Sequence, residues 1–414
     1  MRIYKINNSK FKSIYISYNF TMEVKDRSIF SNNAVLGALM AKTSQKYKTQ
    51  KDIEKYLNSL YGASYDVNVE KYGDLYNLEF KIEYINKAFL PNNEELVDDI
   101  LSFLKEMIYN PADWSQDSIE REKSFILERI NERKDEKLKY GVQRAEELLC
   151  KDEPFGVFLY GEKDTVENVN KEILKKAYSE LIKSCVTVLI SGNLDGYEDI
   201  DEKFKKVFET CEFSTNKITD LVYNTKKQKV NKIEEVSEYQ DTTQSVLSLG
   251  LRINNASIED FYALNLYNAI LGTTPSSKLF QNVREKESLA YTVRSRYYSF
   301  KDIIVIFAGI NKENYNKAVE VINEQIDAIK NGDISEDEFK SAKDSLMADL
   351  LEWKDSKVAM AKMKFANIIA FKDENITVED MREKMSKVTV EDIIRVAKLV
   401  SVEKIFVLGG VDNA

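Results

Sequence analysis

The feature that most limits how this chain can fold is that it repeats itself. The stretch SQDSIEREKSFILERI from Ser115 lies over SEDEFKSAKDSLMADL from Ser335, an offset of 220 residues that puts Ile119 on Phe339, Lys123 on Lys343 and Leu127 on Met347. VLISGNLD, ending at Asp195, lies over FVLGGVD, ending at Asp412, at an offset of 217. Any two α+β halves share a strand-helix-strand rhythm. Two matches in the same order at nearly one offset point further, to an internal duplication. The division predicted is a first domain over 1–215, a linker over 216–235 and a second domain over 236–414. The charged stretch 213–235 has neither Pro nor Gly and reads as an extended surface connection.

Hydrophobic spacing fills in the halves. Ile14, Ile16, Tyr18 and Phe20 alternate as in a half-buried strand. A helix is expected around 33–44. Thr49 caps a second, with Ile53, Leu57 and Leu60 on one face and Gly62 at its end. Strand patterns return at 65–69 and 76–82. They are followed by a helix near 93–109, one long charged helical region over 115–149, a helix near 170–182 and the apolar strand VTVLISGNLD. The second half repeats the order. SVLSLGLRI is a strand, EDFYALNLYNAILG a helix, and SSKLFQNVREK a helix capped by Ser276 or Ser277. A strand pair at 290–310, helices over 314–330 and from 335, a helix near 390–400 and the strand KIFVLGGVD follow. The fold class is therefore α+β: two duplicated domains, each a mainly antiparallel mixed sheet with helices packed on one face.

Composition narrows the function. Of 414 residues, 43% are hydrophobic and 31% charged, enough apolar material for a sizeable core. The net charge is −9 and acidic residues are interspersed with the basic ones, which argues against a nucleic-acid surface. One short basic cluster, KKQK at 226–229, reads as a solvated linker. Cys150, Cys185 and Cys211 show no paired metal spacing and read as reduced thiols. MRIYKINNSKFK is not followed by an apolar segment, and no run approaches a membrane span, so a cytoplasmic protein is expected.

The chain contains no histidine. Histidine is the usual general base near neutral pH and the commonest ligand of catalytic zinc. A Ser-His-Asp triad, a Cys-His pair and a His-based zinc site are all excluded within this chain.

That absence matters because ILGTTPSSKLFQNVREKESLAYTVRS (270–295), EPFGVFLYG (153–161) and SGNLD together resemble the pitrilysin or insulinase zinc peptidases and mitochondrial processing peptidase. The resemblance spans nearly the whole chain and is strongest to small bacterial members, including the zinc-less YmfF-like group. Active members carry an inverted H-x-x-E-H motif on the first helix of the first domain, with a further glutamate on the long charged helix. Here the motif falls on Val35-Leu36-Gly37-Ala38-Leu39 and the distal glutamate on Arg129. None of Val35, Ala38 or Leu39 binds zinc or moves a proton, and Arg129 would repel the metal. Glu122 is the one remaining carboxylate, so no metal is expected in this chain.

The resemblance also implies a second, intact half of the chemistry. The family sets an Arg and a Tyr, seven residues apart in its second domain, across the cleft from the zinc. They match Arg284 and Tyr291. Attack on a peptide carbonyl builds negative charge on oxygen, which a Tyr hydroxyl stabilises while a guanidinium holds a neighbouring carbonyl. By spacing alone, Arg284 is a solvated charge and Tyr291 a strand aromatic; the surrounding resemblance gives them a role. The family often has Gly where this chain has Ser288, so a slightly different turn is expected before Tyr291.

The resemblance thus implies a non-zinc subunit of a bacterial heterodimeric peptidase, one half of a clamshell around a peptide or unfolded-protein substrate. The zinc would sit in a homologous partner bearing H-x-x-E-H, with a homodimer possible when the partner is missing. No nucleic acid or membrane is implied. The YmfF-like group is also associated with modification of elongation factor P, a link that resemblance alone carries. A catalytically inactive scaffold or peptide-binding protein is the alternative reading.

Overall fold

The two halves of the chain each build a five-stranded mixed sheet, and the sheets share one strand order. The computed structural model describes residues 1–224, 232–240, 242 and 244–409. The first sheet contains β1 (Arg2–Asn7), β2 (Ser13–Glu23), β3 (Ser64–Tyr72), β4 (Leu75–Ile85) and β5 (Cys185–Gly192), ordered β1-β5-β2-β4-β3. The second contains β6 (Glu234–Glu238), β7 (Ser245–Ile253), β8 (Ala290–Tyr298), β9 (Ile303–Ile310) and β10 (Val400–Leu408), ordered β6-β10-β7-β9-β8. Adding five to each label of the first order gives the second. In both sheets the outermost pair, β1 with β5 and β6 with β10, is parallel. The other pairs are antiparallel. This shared topology is what a duplication produces.

The helices of the first half are α1 (Ser28–Met40), α2 (Gln50–Ser59), α3 (Val97–Tyr109), α4 (Gln116–Glu132), α5 (Lys137–Leu149), α6 (Lys163–Glu167), α7 (Lys171–Leu181) and α8 (Ile200–Val207). The second half adds α9 (Phe261–Asn268), α10 (Tyr315–Lys330), α11 (Glu336–Glu352), α12 (Lys357–Phe371), α13 (Val378–Ser386) and α14 (Val390–Ala397). α4 and α11 are both 17 residues long and start 220 residues apart, as the sequence overlay requires. Thr49 caps α2 reciprocally with Asp52, and Gly62 closes the following turn at φ +75°.

The chain divides into two compact units. One holds Met1–Asn131, Val157–Tyr223 and Trp353–Glu374; the other holds Glu132–Gly156, Asn224–Glu352 and Asn375 onwards. Each unit therefore includes one helix from the other half of the sequence: α12 belongs with the first sheet and α5 with the second. The charged region over 115–149 is accordingly two helices, broken at 133–136, because α4 and α5 serve different sheets.

In the first unit, Ile14, Ile16, Tyr18 and Phe20 of β2 enter an apolar core with Val35, Leu36 and Leu39 of α1 and with Ile100, Leu104 and Ile108 of α3. The sequence predicts the opposite face of β2 to be solvated. Instead Tyr15, Ser17, Asn19 and Thr21 are all buried, because α12 lies against β2 and β5. That face is a polar layer. Tyr15 Oη (2.7 Å) and Ser17 Oγ (2.5 Å) donate to Glu79 Oε1, Asn77 Nδ2 donates to Asn19 Oδ1 (2.9 Å), and Thr21 Oγ1 donates to Asn77 Oδ1 (2.9 Å). Buried polar groups require such partners.

The second unit solves the same problem with apolar contacts. Tyr140 of α5 packs with Val246, Phe406 and Leu408. Val142 and Ala145 pack with Val305, and Leu149 with Ile303. A Cβ on Gly141 would lie 2.5 Å from Val246 Cγ1, so only glycine lets the helix come this close to β7.

Two short strands, β1 and β6, escape the sequence reading. β6 lies partly inside the stretch read as linker, since its five residues are mostly charged and exposed. The KKQK cluster at 226–229 and the end of the FVLGGVD repeat at Asp412 lie outside the described residues. Among the described residues no helix is long and apolar enough to cross a membrane.

Candidate functional site

In the first unit, the positions corresponding to the zinc motif belong to α1 and have turned inward. Val35 and Leu39 are buried members of the apolar core, and Ala38 packs against it. Lys42, one turn beyond Leu39, reaches back to α4, where its ammonium lies 2.7 Å from Glu122 Oε2. Glu122 is only 3% exposed. Zinc requires deprotonated nitrogen, sulfur or oxygen ligands. The residues present do not meet that need: two are aliphatic core, one is alanine, and the surviving carboxylate is already neutralised by a lysine.

Arg129 lies on the exposed side of the same helix α4. Its guanidinium carbon is 4.8 Å from the ring centroid of Phe125, one turn earlier, and 5.4 Å from that of Tyr160. Its Nη1 donates to the Tyr160 hydroxyl at 3.1 Å. Lys42 Nζ stands 5.1 Å from the same Phe125 ring. Phe125 is thus an aromatic surface flanked by two cations. The sequence reading singled out Arg129 and Glu122 but not Lys42, Phe125 or Tyr160. A lysine one turn after a vanished metal motif was the available signal.

The second unit carries Arg284 and Tyr291. Helical structure resumes after Thr274-Pro275-Ser276-Ser277, and Phe280–Lys286 forms a π-helical stretch. Its end is wide: Glu287 N bonds Asn282 O (3.2 Å) and Leu289 N bonds Val283 O (2.9 Å). Ser277 supplies the carbonyl at the start of this helix, to Gln281 N at 2.9 Å, but its hydroxyl has no hydrogen-bond partner among the described residues. Ser276 bonds Thr274 and Ser341 instead, so neither hydroxyl acts as the predicted cap. Ser288 takes φ +51°, the left-handed region that glycine enters most easily. The turn keeps a glycine-like conformation with a serine in it.

Tyr291 follows at the start of β8, the edge strand of the second sheet. Ala290 pairs with Ile310 and Thr292 with Gly309, so Tyr291 is the extra residue of a bulge. Bulges re-aim side chains at sheet edges, and Tyr291 is 61% exposed. Arg284 is exposed too, stacked 4.7 Å over the Phe280 ring and 3.5 Å from Glu285 Oε1. The structure sets both residues on one helix-turn-strand segment, with no hydrogen bond between them among the described residues.

Comparison with known proteins gives consistent results. A family model described as "Peptidase M16 inactive domain" matches residues 168–346. The chain is 28% identical over 415 aligned residues to the "Probable inactive metalloprotease YmfF" of Bacillus subtilis (strain 168), covering 99% of this chain and 96% of that one. It is 23% identical to the "Uncharacterized zinc protease YmxG" of the same organism, over 62% of each chain. A crystal structure of a conserved protein from Enterococcus faecalis V583 superposes with a TM-score of 0.89 at 24% identity, covering 100% of this chain and 97% of that one.

Proposed function

We propose that this chain, similar to an inactive M16 domain and to a YmfF-type probable inactive metalloprotease, works as the metal-free subunit of a two-chain zinc peptidase. A homologous chain bearing H-x-x-E-H would hold the zinc, which supplies the activated water. This chain would supply part of the peptide-binding wall, with Tyr291 and Arg284 directed at the substrate.

The observation that carries the reading is the exposed pair on the second unit: Tyr291 at an edge-strand bulge and Arg284 on the π-helical stretch just before it. An edge strand presents unpaired backbone groups to which an extended peptide adds as a further strand. A tyrosine hydroxyl at its start is suited to donate to the oxygen that becomes negative as a neighbouring peptide bond is attacked. A guanidinium nearby suits a substrate carbonyl or carboxylate. The similarity to both a probable inactive metalloprotease and a zinc protease of one organism supports a pairing of unlike chains.

The test is reconstitution. Tagged protein is purified from its own cells and the recovered chains are identified. A homologous H-x-x-E-H chain near equal stoichiometry is expected. The mixture should cleave a quenched-fluorescent peptide that neither chain cleaves alone. Recovery of a strict monomer at micromolar concentration, without such a partner, would point to a scaffold or peptide-binding role instead.

A further inference from the structure

We infer that the surface beside the lost zinc motif binds a carboxylate group of a peptide, with Arg129 as the anion receptor. This rests on the peptide-binding part of the proposed function.

Three observations converge on Arg129. First, its position is fixed. The Phe125 and Tyr160 rings lie 4.8 and 5.4 Å from its guanidinium carbon, and Nη1 is tied to the Tyr160 hydroxyl at 3.1 Å. A stacked guanidinium loses little further freedom on binding, and its fork matches a carboxylate in a way a lysine cannot. Second, its charge is uncompensated: among the described residues no carboxylate pairs with Arg129, although Glu122 and Glu128 lie on the same helix. Third, it adjoins an apolar surface. Phe125 is 39% exposed and offers a face to the side chain beside the bound carboxylate.

Lys42 decides the class of anion. It sits over the same Phe125 ring, but its charge is taken by Glu122. One net positive charge remains. That matches the single charge of a carboxylate, whereas a phosphate group carries about −1.5 to −2 at pH 7. A peptide C-terminus and an Asp or Glu side chain share this chemistry, and the probes below distinguish them.

The experiment uses the full chain and fluorescence polarisation. The probes are a fluorescein-labelled Ala-Ser-Ala-Leu-Phe peptide with a free C-terminus, its C-terminal amide, and the amide with Glu replacing the second Ala. The free acid is expected to bind about tenfold more tightly than the amide, a charge-assisted hydrogen-bond increment. In Arg129→Gln that preference should vanish; in Arg121→Gln, an exposed arginine on the same helix, it should persist. Recovery of affinity by the Glu-bearing amide also supports the site and identifies side-chain carboxylates as a source. Equal binding of acid and amide by the wild type would overturn the inference and leave peptide binding standing. So would a preference that survives Arg129→Gln. Failure of every peptide to bind, to the chain alone and to its reconstituted pair, would overturn the inference together with the peptide-binding reading.

Discussion

Lys42 and Glu122 form an ion pair 2.7 Å apart in which the carboxylate is almost fully buried and the ammonium is partly open to water. A buried carboxylate is costly without a counter-charge, and here a side chain of the protein supplies it. Lys42→Met should therefore destabilise the protein by about 1–3 kcal/mol, less than the roughly 3–5 kcal/mol for breaking a fully buried pair because the lysine is partly solvated. Glu122→Gln should cost less. In a double-mutant cycle followed by urea unfolding, the double variant should be more stable than the sum of the single losses predicts.

The same pair bears on metal binding. Chelator-free protein purified alone should contain no stoichiometric zinc by elemental analysis. Installing Val35→His, Ala38→Glu, Leu39→His and Arg129→Glu together should still give weak zinc binding while Lys42 remains. Adding Lys42→Ala should strengthen it, measured by competition with a zinc-sensitive dye. One zinc per wild-type chain, retained through dialysis, would contradict this account.

Tyr291→Phe removes one hydroxyl and little volume from an exposed bulge. Assembly should barely change, while cleavage by the reconstituted pair should fall by about 10²–10³, the usual worth of one oxyanion donor. Arg284→Lys should also impair turnover, because an ammonium does not copy the planar fork. Arg294→Lys, exposed on the same strand, is the control. Wild-type turnover in both Tyr291→Phe and Arg284→Lys would remove the pair from the catalytic account.

Gly141→Ala tests the closeness of α5 to β7. Helix propensity favours alanine by about 1 kcal/mol. The new methyl would press on Val246 Cγ1, and overpacking costs about 1–3 kcal/mol. The net effect should be destabilising, read as a lower urea midpoint.

The three thiols should differ in reactivity. Burial, with the Glu153 carboxylate adding to it, pushes Cys150 up to about 12; burial also pushes Cys185 up to about 11. Cys211 is partly exposed. At pH 8, native protein should take up one equivalent of a maleimide at Cys211, and unfolded protein three. Mass spectrometry of the labelled peptides checks the assignment.

The sequence was most readable where period and burial agreed. The alternation along β2, the cap at Thr49 and the 220-residue offset between α4 and α11 all reappear in the structure, because local pattern and core packing demand the same thing there. It was least readable where partners are distant. Nothing in Tyr15, Ser17, Asn19 and Thr21 announces burial; the covering helix begins at Lys357, more than 300 residues away. β1 and β6 are short edge strands held by parallel pairing to β5 and β10; β6 has one apolar residue, Val236, and Ile3, Tyr4 and Ile6 of β1 do not alternate strictly with polar ones. At the candidate site, the lost ligands could be read from residue types. Lys42 closing onto Glu122 and Arg129 settling between two rings depend on side-chain reach, which spacing does not encode.

The exchange of α5 and α12 means that the sequence repeat and the structural unit are different objects. A chain cut near residue 220 would yield two fragments, each complete as a repeat and incomplete as a body. The first would keep α5 without the sheet it covers and would bare the polar layer beneath α12; the second would be the mirror case, with the apolar face of its sheet open to water. Such fragments should be insoluble or promiscuous apart and complement each other when mixed. The peptide link between the halves is then dispensable for architecture, while the two traded helices are not.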